Sequence, residues 1–299
     1  MANPAHPQVL HAGTRRIDLA LPQCMGVLNV TPDSFSDGAT LGDSLSAGFK
    51  VDPDKLLRRA EAMVSEGAAF LDVGGESTRP GAAAVSVEEE LERVVPAIEL
   101  LSSRFDVCLS VDTSSADVMR AAIEAGAELV NDVRALADAR ALDLINRRGT
   151  AVCLMHMRGQ PKSMQAGINA DAYADVVEEV AAFLRQRSTE CQAQGVSPER
   201  LLLDPGFGFG KSQTHNFQLL QGLSRFRVLG APLLVAVSRK SMIGAATGRE
   251  VDQRLAGSVA AATLALREGA SIIRAHDVPA TIDAIRVHSA FVGQLALES

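Results

Sequence analysis

Short runs of uninterrupted apolar residues recur along the chain, and polar stretches with helical spacing separate them. Eight of these runs are compact and β-branched-rich: CMGVL from Cys24, AFLDV from Ala69, VCLSV from Val107, AELV from Ala127, AVCLM from Ala151, LLL from Leu201, LLVAV from Leu233 and SIIRA from Ser271. Runs that do not alternate with polar residues fit strands of a parallel sheet covered on both faces. The segments between them carry helix signals. Asp52 and Pro53 suit an N-cap and first turn, Leu56, Ala60, Met63 and Val64 share one face, and Gly67 closes the helix. Ser86 with Glu89 makes a capping-box pattern ahead of Leu91, Val94, Val95 and Ile98. Further helices are expected around 115–125, 171–194, 213–222 and 252–268.

Eight alternations of strand and helix in 299 residues predict an α/β fold of the (β/α)8 TIM-barrel type in preference to an open doubly wound sheet. No Gly/Pro/Ser-rich linker or charge block divides the chain, so residues 1–299 are expected to form a single domain. The segment QVLHAGTRRIDLA near the N-terminus is expected to add a hairpin across the barrel bottom.

Composition narrows the function classes. At 47% apolar and 22% charged residues, the chain has enough apolar surface for a full core. A net charge of −7 argues against broad binding to nucleic acid or an anionic membrane, yet leaves room for a small anion held by a few focused cations. Cys24, Cys108, Cys153 and Cys191 show no CxxC spacing, and the first three lie in apolar runs, which reads as buried reduced thiols. The start MANPAHPQVLHAG lacks the basic and apolar regions of a signal peptide, and no apolar run approaches the ~20 residues of a membrane span. A cytoplasmic location is expected.

The chemistry stands at the strand ends. Asn29 follows the first run, GGESTRPG the second, Asp112 and Thr113 the third, Asn131 and Asp132 the fourth, and His156 the fifth. Asp204 with PGFGFGK follows the sixth, Ser238, Arg239 and Lys240 the seventh, and Arg274 and His276 the eighth. In a barrel all of these converge on the C-terminal face, where active sites of this fold are built. Taken singly, Arg79 also suits a surface loop, Lys240 a helix cap and His276 a turn. Together, Arg79, Lys240, Arg274 and His276 are cations suited to a diphosphate, and Asp112, Asn131 and Asp204 suit the edge of a nitrogen heterocycle. Asp132 reads as structural, the glycines of DVGGESTRPG as a hinge, and Glu76 as an internal brace of that loop.

NVTPDSFSDG, DVGGESTRPG, SVDT, the Asn131–Asp132 pair, MHMRGQPKSMQ, LLLDPGFGFGK, VSRKSMIG and RAHDV resemble, in order and over about residues 25–278, the motifs of the dihydropteroate synthase family. The resemblance implies a transferase of folate biosynthesis and a sulfonamide target. It would join 4-aminobenzoate to a dihydropterin methyl diphosphate with Mg2+ bound, and work as a homodimer. It also implies that Asp112, Asn131, Asp204, Lys240 and Arg274 hold the pterin, with Met155 packed beside it. Asn29 would meet Mg2+ and diphosphate, and Thr78, Arg274 and His276 would bind the leaving group. Phe35, Thr78, Pro80, Phe209 and Ser241 would contact aminobenzoate, while Asp37, Arg79, Lys240, Arg274 and His276 would take part in catalysis. The first loop departs from the family pattern by a longer path into the following helix. Two other readings stay open at this point: a pterin-binding methyltransferase barrel, and a paralogue that binds pterin without turnover.

Overall fold

A computed structural model describes residues 8–31, 42–45, 48–76, 85–159, 168 and 170–295. All eight apolar runs become strands. Preceded by β1 (Val9–Ala12) and β2 (Arg15–Asp18), they begin with β3 (Gln23–Asn29); β4 (Gly42–Leu45) and β5 (Gly48–Val51) intervene. The series continues with β6 (Phe70–Gly74), β7 (Cys108–Asp112), β8 (Leu129–Asp132), β9 (Ala151–Met155), β10 (Leu201–Asp204), β11 (Leu234–Val235) and β12 (Ile272–Ala275). Eight strands pair in parallel in the order β10-β9-β8-β7-β6-β3-β12-β11. A parallel bridge between Leu203 and Leu233, with Leu203 N donating to Pro232 O at 3.0 Å, brings the two ends of this sheet together as a barrel. The LLVAV run pairs with β12 through Leu234 and Val235 and with Leu203 through Leu233, and beyond it the chain turns at Arg239, whose φ is +57°.

The surrounding helices are α1 (Pro53–Ser65), α2 (Val87–Ser102), α3 (Ala116–Ala125), α4 (Ala139–Arg148), α5 (Val176–Ala193), α6 (Gln213–Gln221), α7 (Ser241–Thr247), α8 (Leu255–Arg267) and α9 (Val278–Phe291). Asp52 caps α1 by accepting from Asp54 N at 3.0 Å and Lys55 N at 3.1 Å, and Ser86 and Glu89 close their capping box on α2. The buried stripe of α2 runs through Glu90, Arg93, Val94, Ala97, Ile98 and Leu101, so Leu91 and Val95 lie at its margin and two charged residues lie within it. Helices α4 and α9 were not expected from the pattern. The longer first loop also holds a surprise, since β4 and β5 pair antiparallel as a short ribbon that leads into α1.

Period-two alternation sorts the strand residues between two cores. Leu28, Leu71, Val73, Leu109, Val111, Val130, Val152, Leu154, Leu203, Val235 and Ile273 face the helices. Met25, Phe70, Cys108, Leu129, Ala151, Cys153, Leu202, Leu234 and Ile272 fill the barrel, and Leu10, Ala12 and Leu19 of the N-terminal hairpin join them. The hairpin therefore plugs the bottom, tied by Arg15 Nε to Glu128 Oε2 at 2.6 Å and Gly13 N to Gly149 O at 3.2 Å. Toward the C-terminal ends the inward positions turn polar: Asp72, Ser110 and Asn131, then Asn29, Asp112, Asp204 and Arg274. All four cysteines are free and buried, and among the described residues no helix is long and apolar enough to cross a membrane.

Because Leu10 is fully buried between hairpin and barrel, Leu10→Ala should destabilise the protein by about 2–5 kcal/mol in urea titration. It should leave the KM values unchanged, since the plug lies at the end of the barrel opposite the strand-end chemistry.

Candidate active site

Arg274 occupies the centre of the barrel mouth. From β12 its Nε donates to Asp72 Oδ2 at 2.6 Å and its Nη2 to Asp112 Oδ2 at 2.9 Å, so one guanidinium bridges strands β6, β7 and β12. Asn131, beside Asp112 in the sheet register, donates from Nδ2 to the same Asp72 Oδ2 at 3.0 Å. Burial pushes the Asp112 carboxyl up to about 7; Arg274 opposes that shift, and Asp72, Glu90 and Asp132 add to it. Burial also works against the Arg274 charge, but the flanking carboxylates outweigh it and hold the guanidinium above its usual range.

A second group comes from the loop after β10. Asp204 is buried, and its Oδ1 accepts from Gly206 N at 2.7 Å. Gly206 and Gly208 both have left-handed backbone, with φ of +71° and +82°. A Cβ on Gly206 would stand 1.9 Å from His156 O, whereas one on Gly208 would meet the Lys240 stem at 3.4 Å, an ordinary contact. Glycine is thus needed for conformation at both positions and for space at Gly206. Lys240 donates from Nζ to Phe207 O and lies 4.7 Å from the centre of the Phe209 ring. Burial lowers its ammonium to about 8, with Asp204 raising and Arg274 lowering it further.

Lys211 is buried beneath the same loop. Its Nζ donates to Gly206 O at 2.8 Å, Phe209 O at 3.1 Å and His156 O at 3.3 Å, and stands 2.9 Å from His156 Nδ1. Burial first, and then the Lys211 charge, depress the His156 imidazole to about 3. The imidazole is therefore neutral and an acceptor, and lysine and histidine together rivet the loops after β9 and β10.

The remaining expected residues fall as follows. Asn29 and Asp112 flank Gly74, where a Cβ would lie 3.4 Å from Asn29 Oδ1 and 3.6 Å from Asp112 Cβ. Met155 ends β9 opposite Asp204 in register and is buried. His276 Nδ1 lies 3.0 Å from Ser238 Oγ, which also accepts from His276 N at 3.2 Å. Ser241 opens α7, is exposed, and accepts from Gln213 Nε2 at 3.4 Å. Asp37, Phe35, Thr78, Arg79 and Pro80 lie outside the described residues.

Three expectations need correction. The hinge reading of the glycines fails at Gly74 and Gly75: Gly74 is strand, and a Cβ on Gly75 would stand 2.6 Å from Val94 and 3.0 Å from Glu90. Gly75 O is also held by Arg93 Nη1 at 3.0 Å, so these glycines serve close packing. Glu76 is exposed, and among the described residues the brace at the start of this loop is buried Arg93. Finally, cations and acids are not segregated, because Arg274 pairs with two acids and Lys240 sits in the field of Asp204. Asp132 is structural as expected, its Oδ1 accepting from Ser114 Oγ and from Arg134 N at 2.8 Å, its Oδ2 from Leu136 N at 2.7 Å.

Asp72 and Lys211 escaped the strand-end reading. Asp72 stands inside the AFLDV run, two residues below the strand end, and the overlooked signal is an acid interrupting an apolar run at an inward-facing register position. Lys211 closes the motif PGFGFGK, where the glycines drew attention away from it.

A mouth that sets acids and amides beside two cations is the type of site a nitrogen heterocycle with an anionic tail would fill. A profile of the family described as pterin binding enzyme matches residues 25–276, and the chain belongs to that family. Within it the chain is a member of the dihydropteroate synthase group: the dihydropteroate synthase of Haemophilus influenzae is 49% identical over 281 residues, covering 94% of this chain and 98% of that relative. The Yersinia pestis dihydropteroate synthase, solved with a sulfonamide drug complex, superposes with a TM-score of 0.87 at 48% identity, covering 95% of this chain and 99% of that one. The Xanthomonas albilineans dihydropteroate synthase, solved with 4-aminobenzoic acid, gives a TM-score of 0.85 at 46% identity, covering 97% and 99%.

The two displaced titrations set a pH window. Asp112 loses its proton as pH rises through about 7, and Lys240 loses its charge as pH rises through about 8. If the free site needs the anion and the cation together, kcat/KM for the pterin substrate should rise through the first value and fall through the second. A profile flat between about pH 6 and 9 would sink that assignment.

Proposed function

We propose that this transferase condenses 4-aminobenzoate with (7,8-dihydropterin-6-yl)methyl diphosphate, giving 7,8-dihydropteroate and diphosphate. The observation that carries the reading is the convergence of Asp112, Asn131, Asp204, Lys240 and Arg274 on one barrel mouth in a member of this family. The 4-aminobenzoic acid held by the Xanthomonas relative and the sulfonamide held by the Yersinia relative support the second substrate and a sulfonamide-sensitive site.

In this reading Asp112, Asn131 and Asp204 hold the amide-rich edge of the pterin, with Met155 packed beside the ring. Lys240 donates to the ring's acceptor side. Arg274 spends Nε and one Nη2 proton on Asp72 and Asp112, which leaves Nη1 for the ligand alongside His276 and Thr78 on the diphosphate. Phe209, Ser241, Phe35, Thr78 and Pro80 hold aminobenzoate, and Asp37 and Arg79 take part in catalysis.

Asn29 offers an amide oxygen at the mouth. A hard oxygen donor of that kind fits Mg2+, which commonly takes few protein ligands and completes its shell with phosphate oxygens and water. When bound, Mg2+ would supply charge neutralisation to the departing diphosphate. The protein's own groups do the rest. Substitution at the pterin methylene is dissociative, so the site must stabilise leaving-group charge and keep the ring oriented while a cation forms. An acid such as Asp37 offsets that cation, and the aminobenzoate amine then attacks. A homodimer in the cytoplasm completes the proposal.

Purified protein with Mg2+ and both substrates should release diphosphate, with none when either substrate is omitted; no release with both present would refute the assignment. Asp204→Ala should weaken pterin diphosphate binding at least about tenfold by calorimetry, as loss of a charge-assisted hydrogen bond in a buried site does. Unchanged affinity would remove Asp204 from the pocket.

A further inference from the structure

Asp72 has no place in the function described so far, yet it is the most completely buried acid near the mouth, with a side-chain exposure of 0%. Its Oδ2 takes two hydrogen bonds, from Arg274 Nε and Asn131 Nδ2, while its buried Oδ1 has no partner among the described residues. An oxygen that already accepts from Arg274 Nε faces Asn131 as an acceptor, so the atom of Asn131 opposite it is the amide nitrogen. The Asn131 amide is thereby fixed in one of its two orientations. Its Oδ1 has no protein donor among the described residues and remains for a ligand. Asp112, bonded to Arg274 through Oδ2, keeps Oδ1; Asp204, bonded to Gly206 N through Oδ1, keeps Oδ2. The oxygens left over from these three side chains are all acceptors.

We propose that Asp72 is a positioning residue that determines ring specificity: by locking Asn131 with its oxygen toward the ligand, it completes an all-acceptor edge that selects a heterocycle presenting N–H donors. This deepens the proposed function and rests on it. The selected edge is that of a 2-amino pyrimidinone ring. An analogue with a carbonyl oxygen in place of the 2-amino group would set acceptor against acceptor and be rejected, because a buried polar group left unpaired is costly. Asp72 touches no substrate in this account; it acts through Asn131 and Arg274.

The test removes the lock and then removes the need for it. In Asp72→Ala the acceptor that holds Asn131 Nδ2 is gone, so the Asn131 amide is free to turn its nitrogen to the ligand. In the double variant Asp72→Ala with Asn131→Asp, the carboxylate at 131 returns a negative charge near Arg274 and presents an acceptor to the ligand in either orientation. Calorimetric affinities would be measured for the 2-amino dihydropterin methyl diphosphate and its 2-oxo analogue, on the unmodified chain and both variants. The unmodified chain should prefer the 2-amino ring by at least about a hundredfold. Asp72→Ala should reduce that ratio at least about tenfold while the KM for 4-aminobenzoate stays within about twofold, and the double variant should restore the ratio. Undiminished discrimination in Asp72→Ala, or a double variant no better than the single one, would overturn the proposal; if the single variant does not fold, a double variant without at least about tenfold preference for the 2-amino ring would overturn it. Failure of the unmodified chain to bind either ring would instead overturn the proposed function, and the inference with it.

Discussion

The barrel mouth is organised by one guanidinium that has to be neutralised out of water. Arg274 enters from β12 with its side chain mostly buried, and a lone buried charge of this kind would cost several kcal/mol. Two carboxylates answer it, one on β6 and one on β7, and the deeper of them also holds Asn131 of β8. Four strands are thus cross-linked above the apolar plug by three hydrogen bonds from two donor side chains. Such an arrangement tolerates little slippage, since a one-residue shift of any of these strands would turn its polar group to the helix layer. The interaction that holds the site therefore also fixes the register of the barrel around it.

The same alternation explains why the barrel is apolar below and charged above. Phe70, Asp72 and Gly74 follow one another on the inward face of β6: a large ring for the plug, an acid for the guanidinium, then no side chain at all. The last step opens the mouth, because a Cβ at Gly74 would lie against both Asn29 and Asp112. The hairpin at the bottom supplies the missing apolar volume with Leu10, Ala12 and Leu19, so the polar upper half is carried on a packed lower half.

The strands, the capped helices and the converging strand-end residues were legible because each leaves a local signature. Asp52 with Pro53 and Ser86 with Glu89 are short-range patterns, and their caps form as the spacing predicts. What stayed hidden depends on partners distant in sequence. Asp72 and Arg274 are 202 residues apart, and nothing local distinguishes an acid that neutralises a distant arginine from a misplaced one. Lys211 reads as a loop lysine until three carbonyls and an imidazole are folded around it. Gly75 reads as a hinge until Glu90 and Val94 of α2 are seen to occupy the space of its missing side chain. Glycines give way to packing as readily as to motion, and only the neighbours tell which.

The charge inventory of the mouth carries the argument one step further. Asp72, Asp112 and Asp204, with buried Asp132 and Glu90 behind them, offset Arg274, Lys240 and Lys211, so the acids at least match the cations before any ligand arrives. Lys211 is moreover committed to backbone carbonyls, which leaves little surplus positive charge in the throat. A neutral ring suits such a place; a diphosphate does not. On the proposed reading, charge beyond what Arg274 Nη1 gives the leaving group must come from His276, Arg79 and Mg2+. On that reading the division is by depth: the interior recognises the ring, and positive charge is assembled further out, where the bond breaks. Keeping those tasks apart leaves ring recognition to groups already fixed by their own hydrogen bonds.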